Sequence, residues 1–209
     1  MPVAPPPYRA RRGPGSARSE SRRTSAGPAR HAGPMILTPP RRAARPIAPQ
    51  TLAALRTADD AGRPARPYTV TEDGAPLRCC LRAARAGESI ALVSYAPLRR
   101  WAAERGVRPG AYDEQGPVFI HGRECGGPAA PESGGAGGGY PFVRPGVLRT
   151  LRRYGADGRI TGGRLLEFPE DPAPAVDRAL DEAFADPGVA LVHLRAVEYG
   201  CFLFEVRRP

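Results

Sequence analysis

The stretch that decides the fold is "VALVHLRAVEYGCFLFEVRR", residues 189–208. Two β-rich runs flank the short segment "EYG", which predicts a hairpin with a three-residue loop at 198–200. That loop sets three apolar pairs on one face: Val192 with Val206, Leu194 with Phe204, and Ala196 with Phe202. A two-residue loop would place Leu194 opposite Glu205 and lose this segregation, so the three-residue loop is preferred.

The other face of the hairpin brings His193 directly opposite Glu205, with Arg195 two residues further along the strand. A carboxylate beside an imidazole stabilises its charged form or fixes its tautomer, which suits a general base or an anion-binding histidine. The alternative is an exposed cross-strand pair that contributes well under about 1 kcal/mol. Arg195 favours the anion-binding interpretation of this polar face.

The rest of the chain predicts a mixed fold. Short β-rich runs between turn residues predict strands at 67–70, 76–82, 89–95 and 117–121, and a second hairpin over 147–168. Helices are predicted over 48–62 and 171–188, and the long connection 96–116 has room for a turn of helix. We therefore predict a single α+β domain over residues 45–209, with a mostly antiparallel sheet and one or two packed helices.

Two segments lack hydrophobic periodicity. Residues 1–44 are predicted to be a disordered Arg/Pro-rich arm, and residues 1–34 carry the clearest signature of disorder. Residues 1–45 hold ten arginines and one acid, Glu20, whereas the remainder is almost neutral, with 21 arginines and 20 acids. The charge of the arm indicates weak, non-specific contact with nucleic acid. The alternatives are that the arm is a transit peptide, or that it is an overextension of the reading frame upstream of Met35. Residues 122–146 hold nine glycines and four prolines, which predicts a mobile loop.

Composition excludes several classes of function. All 31 basic residues are arginine, so a Walker-type phosphate loop and lysine Schiff-base chemistry are excluded. No apolar run approaches the roughly 20 residues that span a bilayer, so we expect no membrane partner. Four cysteines without a secretory signal predict a cytoplasmic protein with reduced thiols. Nothing in the sequence calls for a cofactor.

The cysteines and histidines allow two further interpretations. No CxxC or HxxxH pair exists, so we expect no metal, although His121 with Cys125 and His193 with Cys201 could each supply half of a site. The alternative is that these residues are buried thiols and structural histidines. If 76–82 is a strand, Arg78 and Arg82 flank Cys80 on one face, and their charges make Cys80 the candidate reactive thiol. The alternative is a polar face with a passenger cysteine.

Four segments together resemble a known family. They are "PLRCCLRAARAGESIALVSY", "GPVFIH", "YPF" and "VHLRAVEYGCFLFEV", and they resemble the bacterial family called domain of unknown function 1203 over roughly residues 45–209. The resemblance implies a domain without an established reaction. It also implies that Arg78, His193 and Cys201 belong to the family pattern.

We therefore expect an uncharacterised cytosolic domain that binds a small ligand or anion. The candidate binding residues are Arg78, His193, Arg195, Cys201 and Glu205. The alternative is a small metal- or thiol-dependent enzyme whose cysteines and histidines gather in a pocket.

Overall fold

A computed structural model describes residues 42–128 and 140–208 of the chain. Its helices are α1 (Pro49–Thr57), α2 (Pro97–Arg105) and α3 (Ala173–Ala185), and its strands are β1 (Tyr68–Thr69), β2 (Pro76–Leu77), β3 (Arg82–Ala83), β4 (Ser89–Tyr95), β5 (Gly116–His121), β6 (Leu148–Gly155), β7 (Ile160–Glu167), β8 (Val189–Ala196) and β9 (Phe202–Arg207). A proline lies in the first turn of each helix, where no amide hydrogen bond is lost.

The strands form two sheets. The first sheet has the order β1-β4-β5-β2-β3, and the second sheet has the order β7-β6-β8-β9. All pairings are antiparallel except that of β2 with β5, which is parallel. Three helices and two mostly antiparallel sheets confirm the α+β class, although the sequence had predicted one sheet.

The register of the closing hairpin is confirmed over its outer part. Val192 pairs with Val206, His193 with Glu205 and Leu194 with Phe204. A β-bulge then places Arg195 opposite Phe202, so the predicted pairing of Phe202 with Ala196 is wrong. The bulge inserts Leu203 as an extra residue of β9. Leu203, and not Phe202 as predicted, therefore lies on the apolar face of the hairpin that packs against α3.

The second sheet is covered on both faces. Its apolar face packs with Leu180 and Phe184 of α3 in one core cluster. On its other face, Tyr154 and Leu191 pack against Trp101 of α2. Phe202 joins the core of the first sheet, where its ring centroid lies 5.6 Å from that of Tyr95. The face of the hairpin that carries His193 and Glu205 is therefore in the interior of the protein.

The predicted strand 76–82 is interrupted. It divides into β2, a turn over residues 78–81, and β3. Leu81 adopts the left-handed conformation with φ 57°, which is uncommon for a leucine, and its amide donates to the Leu77 carbonyl at 2.9 Å. The turn takes Cys79 and Cys80 out of the strand, so the two-face alternation predicted for them does not apply.

Two sequence predictions fall partly outside the described residues. The arm 1–34 and its contact with nucleic acid lie outside them, as do residues 129–139 of the predicted loop 122–146. Tyr140 and Val143, which follow that gap, are buried in the core of the second sheet. Within the described part of the chain, no helix combines the length and hydropathy needed to cross a bilayer.

Candidate metal site

The parallel pairing of β2 with β5 places four ligand-type residues together. Leu77 of β2 lies beside Phe119 of β5, so the turn that follows β2 lies next to the carboxyl end of β5. That turn carries Cys79 and Cys80, and β5 ends on His121. Cys125 follows four residues later and returns to the same place.

The spacing of the four side chains fits a tetrahedral ion. Their ligand atoms all lie within 4.8 Å of one another. The Sγ atoms of Cys79 and Cys80 are 3.9 Å apart, and they lie 3.2 and 3.7 Å from Nδ1 of His121. Zinc with bonds of about 2.3 Å to sulfur and 2.0–2.1 Å to nitrogen separates its ligand atoms by about 3.5–3.8 Å. The three distances among Cys79, Cys80 and His121 therefore match a zinc tetrahedron to within a few tenths of an ångström, and the Cys125 thiol lies within 4.8 Å of each of these atoms.

Charged and polar groups support the cluster from outside. Nε2 of His121 lies 3.5 Å from Oε2 of Glu88, and Glu88 is paired with Arg82 at 2.6 Å. When Nδ1 binds a metal, the ring proton resides on Nε2, which lies near the Glu88 carboxylate and 3.3 Å from Nη2 of Arg82. The backbone amide of His121 also donates to Sγ of Cys79 at 3.2 Å. These contacts orient both the imidazole and the first thiolate.

The three thiols have unequal affinities for their protons. The hydrogen bond with Cys80 raises the pKa of Cys79, and burial adds to that rise. The same hydrogen bond lowers the pKa of Cys80, and the positive charge of Arg82 contributes to the decrease. Burial raises the pKa of Cys125. The reactivity predicted for Cys80 stays a prediction, because the lower pKa comes mainly from the hydrogen bond with Cys79 and only 6% of the residue is exposed.

Comparison with known protein families identifies the family of the chain. A model of the family described as "Protein of unknown function (DUF1203)" matches residues 74–208. The chain belongs to the DUF1203 family. The matched residues include all four members of the cluster. No significant match to the chain was found among curated proteins or among solved structures.

The other half of the predicted metal site lies elsewhere in the DUF1203 domain. His193 is completely buried in the second sheet, where Tyr154 and Phe202 pack against its ring at centroid distances of 4.7 and 5.0 Å. Cys201 is half-buried, with its Sγ 3.7 Å from the Tyr199 carbonyl oxygen. Of the predicted set His121, Cys125, His193 and Cys201, only the first two lie in the cluster.

The predicted polar face of the closing hairpin is buried in the DUF1203 domain, so the interpretation of His193 and Glu205 as an exposed pair is wrong. Nε2 of His193 is 3.8 Å from Oε2 of Glu205, and neither ring nitrogen has a hydrogen-bond partner among the described residues. Oε1 of Glu205 instead accepts from Nε of Arg207 at 2.6 Å. Burial, followed by the charges of Arg195, Arg152 and Arg207, holds the pKa of His193 well below its ordinary value. Burial raises the pKa of Glu205.

The two predicted anion-binding arginines have partners inside the protein. Nη1 of Arg195 lies 2.8 Å from the Glu114 carboxylate. Arg78 is only 3% exposed, and its Nε and Nη2 donate to the Phe202 carbonyl at 2.8 and 2.7 Å. Burial lowers the pKa of Arg78 to about 10, so it stays charged at neutral pH. Both guanidiniums are occupied with internal acceptors.

The burial of His193 predicts a pH dependence of folding. Because the folded chain binds the imidazole proton more weakly than the unfolded chain, stability falls as the pH drops below about 6.5, by up to about 1.4 kcal/mol per pH unit. Urea unfolding of the wild type and of His193→Leu, both with chelator, checks this between about pH 6.5 and 5.5. We expect the stability difference to shift in favour of the variant at the lower pH. Parallel pH profiles would contradict the burial of an uncharged imidazole.

Cys79 and Cys80 are possible metal donors by residue type, but the ligand set predicted from the sequence did not include them. That prediction required ligand pairs separated by two or three residues, whereas adjacent cysteines on a tight turn also converge here. The available signal was a Cys-Cys pair after one short strand and a His-x₃-Cys segment after another. Convergence further required the parallel pairing of β2 with β5, which is a non-local contact.

Proposed function

We propose that this DUF1203 domain binds a zinc ion through Cys79, Cys80, His121 and Cys125. The convergence of their four ligand atoms within 4.8 Å carries the proposal. Three sulfur donors and one imidazole form a soft set that suits zinc in preference to calcium or magnesium, which bind oxygen.

The burial of the ligands supports a structural role for this ion. Cys79, Cys80 and His121 are buried, and Cys125 is half-buried. Four protein ligands fill a tetrahedral zinc site, whereas catalytic zinc keeps a position for water or substrate. The ion would fasten the 78–81 turn to the end of β5. Three thiolates around Zn²⁺ leave one net negative charge, and Arg82 lies beside them.

The small-ligand function expected from sequence is not retained. Its candidate residues Arg78 and Arg195 bind internal acceptors, and His193 has no exposed atoms to offer a ligand. Metal binding therefore takes its place as the proposed function.

Metal analysis of the purified full chain tests the proposal. We expect about one zinc per chain after purification and dialysis, and tetrahedral cobalt absorption with thiolate charge transfer after Co²⁺ exchange. Cys201→Ser is the matched control, since Cys201 lies outside the cluster, and it should keep the full metal content. A wild-type chain that retains no zinc and gives no tetrahedral cobalt spectrum would overturn the proposal.

Replacing Glu88 is expected to have a smaller effect on zinc binding than replacing a ligand. Glu88→Gln removes the carboxylate that faces Nε2 of His121, and outer partners of metal ligands typically contribute about 10–100-fold in affinity. We expect zinc affinity to fall within that range while the stoichiometry stays unchanged. Competition with a chromophoric chelator measures the affinity. Glu72→Gln changes an exposed glutamate and serves as the control; equal affinity of the Glu88 variant and this control would refute the role of Glu88.

A further inference from the structure

We infer that Cys125 is the ligand through which the ion is exchanged. This inference rests on the proposed zinc function. Cys125 detaches first and leaves zinc on Cys79, Cys80 and His121 with one open coordination position. The Zn–S bond breaks so that the thiolate keeps the electron pair and takes a proton from water. A competing thiolate from a small thiol or an acceptor site can then occupy the open position.

The four ligands differ in their exposure to solvent. Cys79 is 1% exposed, Cys80 is 6% exposed and His121 is 7% exposed. Cys125 is half-buried and is the most exposed member of the cluster. Solvent and reagents therefore reach the cluster from the Cys125 side.

Backbone hydrogen bonds hold the turn that carries Cys79 and Cys80 in place. In the 78–81 turn, the Arg78 amide donates to the Phe119 carbonyl at 2.9 Å, and the Leu81 amide donates to the Leu77 carbonyl at the same distance. These hydrogen bonds tie the turn to β5 and close it on itself. A backbone shift that moved Cys79 or Cys80 away from an ion would break them.

The chain after β5 is tightly packed as far as residue 123. A Cβ on Gly122 would lie 2.8 Å from Cβ of Pro67, and the Gly122 amide donates to the Ser89 carbonyl at 2.9 Å. The Arg123 carbonyl accepts from Nη2 of Arg56 at 2.8 Å. His121, which directly precedes these anchors, is therefore held in place.

The chain directly after Cys125 consists of two glycines with open space around their α-carbons. Gly126 and Gly127 both have positive φ, 73° and 82°, and a Cβ on either residue would meet no atom within 4 Å. Glycine adopts such angles without steric cost and has the widest choice of alternative conformations. The Gly127 amide donates to the Cys125 thiol, and the open space around both glycine α-carbons lets small backbone rotations carry this thiol away from the cluster.

Alkylation mapping of the zinc-loaded full chain tests the order of release. Cleavage after arginine places Cys79 and Cys80 together in peptide 79–82, Cys125 in 124–149 and Cys201 in 196–207, so the rate of Cys125 is read apart from those of the other thiols. With iodoacetamide at neutral pH, we expect Cys125 to be alkylated at least 10-fold faster than Cys79 and Cys80. Zinc release, followed with a chromophoric chelator, should keep pace with Cys125 alkylation. Cys201 provides the reference rate of a half-buried thiol outside the cluster.

A variant separates this inference from the zinc function itself. Cys125→Ser should still bind Co²⁺ but release it to chelator at least 10-fold faster than the wild type. If the wild type binds zinc yet Cys125 is protected as well as Cys79 and Cys80, the exchange route is wrong and the site stands. If the wild type binds no zinc, the proposed function fails and this inference with it.

Discussion

A Cys79→Ser chain is expected to lose more than about 100-fold in zinc affinity, because a ligand change should exceed the about 10–100-fold effect of an outer partner. Cys79 lies 3.2 Å from the imidazole of His121 and 3.9 Å from the Cys80 thiol, and it also accepts the His121 amide. A serine hydroxyl is a harder ligand that stays protonated near neutral pH, so it cannot replace a thiolate. Titration against a chromophoric chelator measures the change.

The same variant should lose the stability that the ion supplies. A ligand present at 1,000 times its dissociation constant stabilises a fold by about 4 kcal/mol, which for a domain of this size raises Tm by about 10 °C. Chelator should therefore lower the Tm of the wild type and of Cys201→Ser by about that amount and leave Cys79→Ser unchanged. An equal response of all three chains to chelator would show that Cys79 does not bind the ion.

Replacing Arg78 by Met is expected to destabilise the fold by about 3 kcal/mol. The guanidinium donates two hydrogen bonds to the Phe202 carbonyl of β9 and one to the Pro76 carbonyl of β2, so it links the two sheets. Methionine fills the space but leaves the buried Phe202 carbonyl and the half-buried Pro76 carbonyl without these donors, at about 1–3 kcal/mol for a buried group. Relief of the desolvation of a buried cation offsets part of that loss.

Urea unfolding of metal-free protein measures this effect apart from zinc. Arg108→Met changes an exposed arginine and should alter stability by less than about 0.5 kcal/mol. Arg78→Lys keeps the charge without the planar fork, and it should fall between wild type and Arg78→Met. Wild-type stability in Arg78→Met would contradict the role of Arg78 as a link between the sheets.

Local patterns predicted much of the fold. Alternation of apolar residues and the length of the "EYG" loop fixed the pairing of His193 with Glu205. The bulge at Leu203 was not predictable, because Phe202 and Leu203 are both apolar and either fits the core. The 78–81 turn was missed because it contains no glycine, proline or asparagine, and Leu81 supplies the left-handed residue.

The candidate site was less predictable because it depends on contacts between distant segments. Cys79 and Cys125 are brought together by the parallel pairing of two short strands, which leaves no periodic signal in the sequence. His193 was placed on the correct strand and opposite the correct residue, but its burial depends on α2 and the first sheet. Single-segment patterns indicate which face a residue occupies and not what covers that face.

X-ray absorption at the zinc edge of the loaded full chain tests the proposed site most directly. Cys79, Cys80, Cys125 and His121 predict three sulfur atoms at about 2.3 Å and one nitrogen at about 2.0–2.1 Å around the ion. A first shell made only of nitrogen and oxygen would contradict the account, because it would place the ion away from the three thiols.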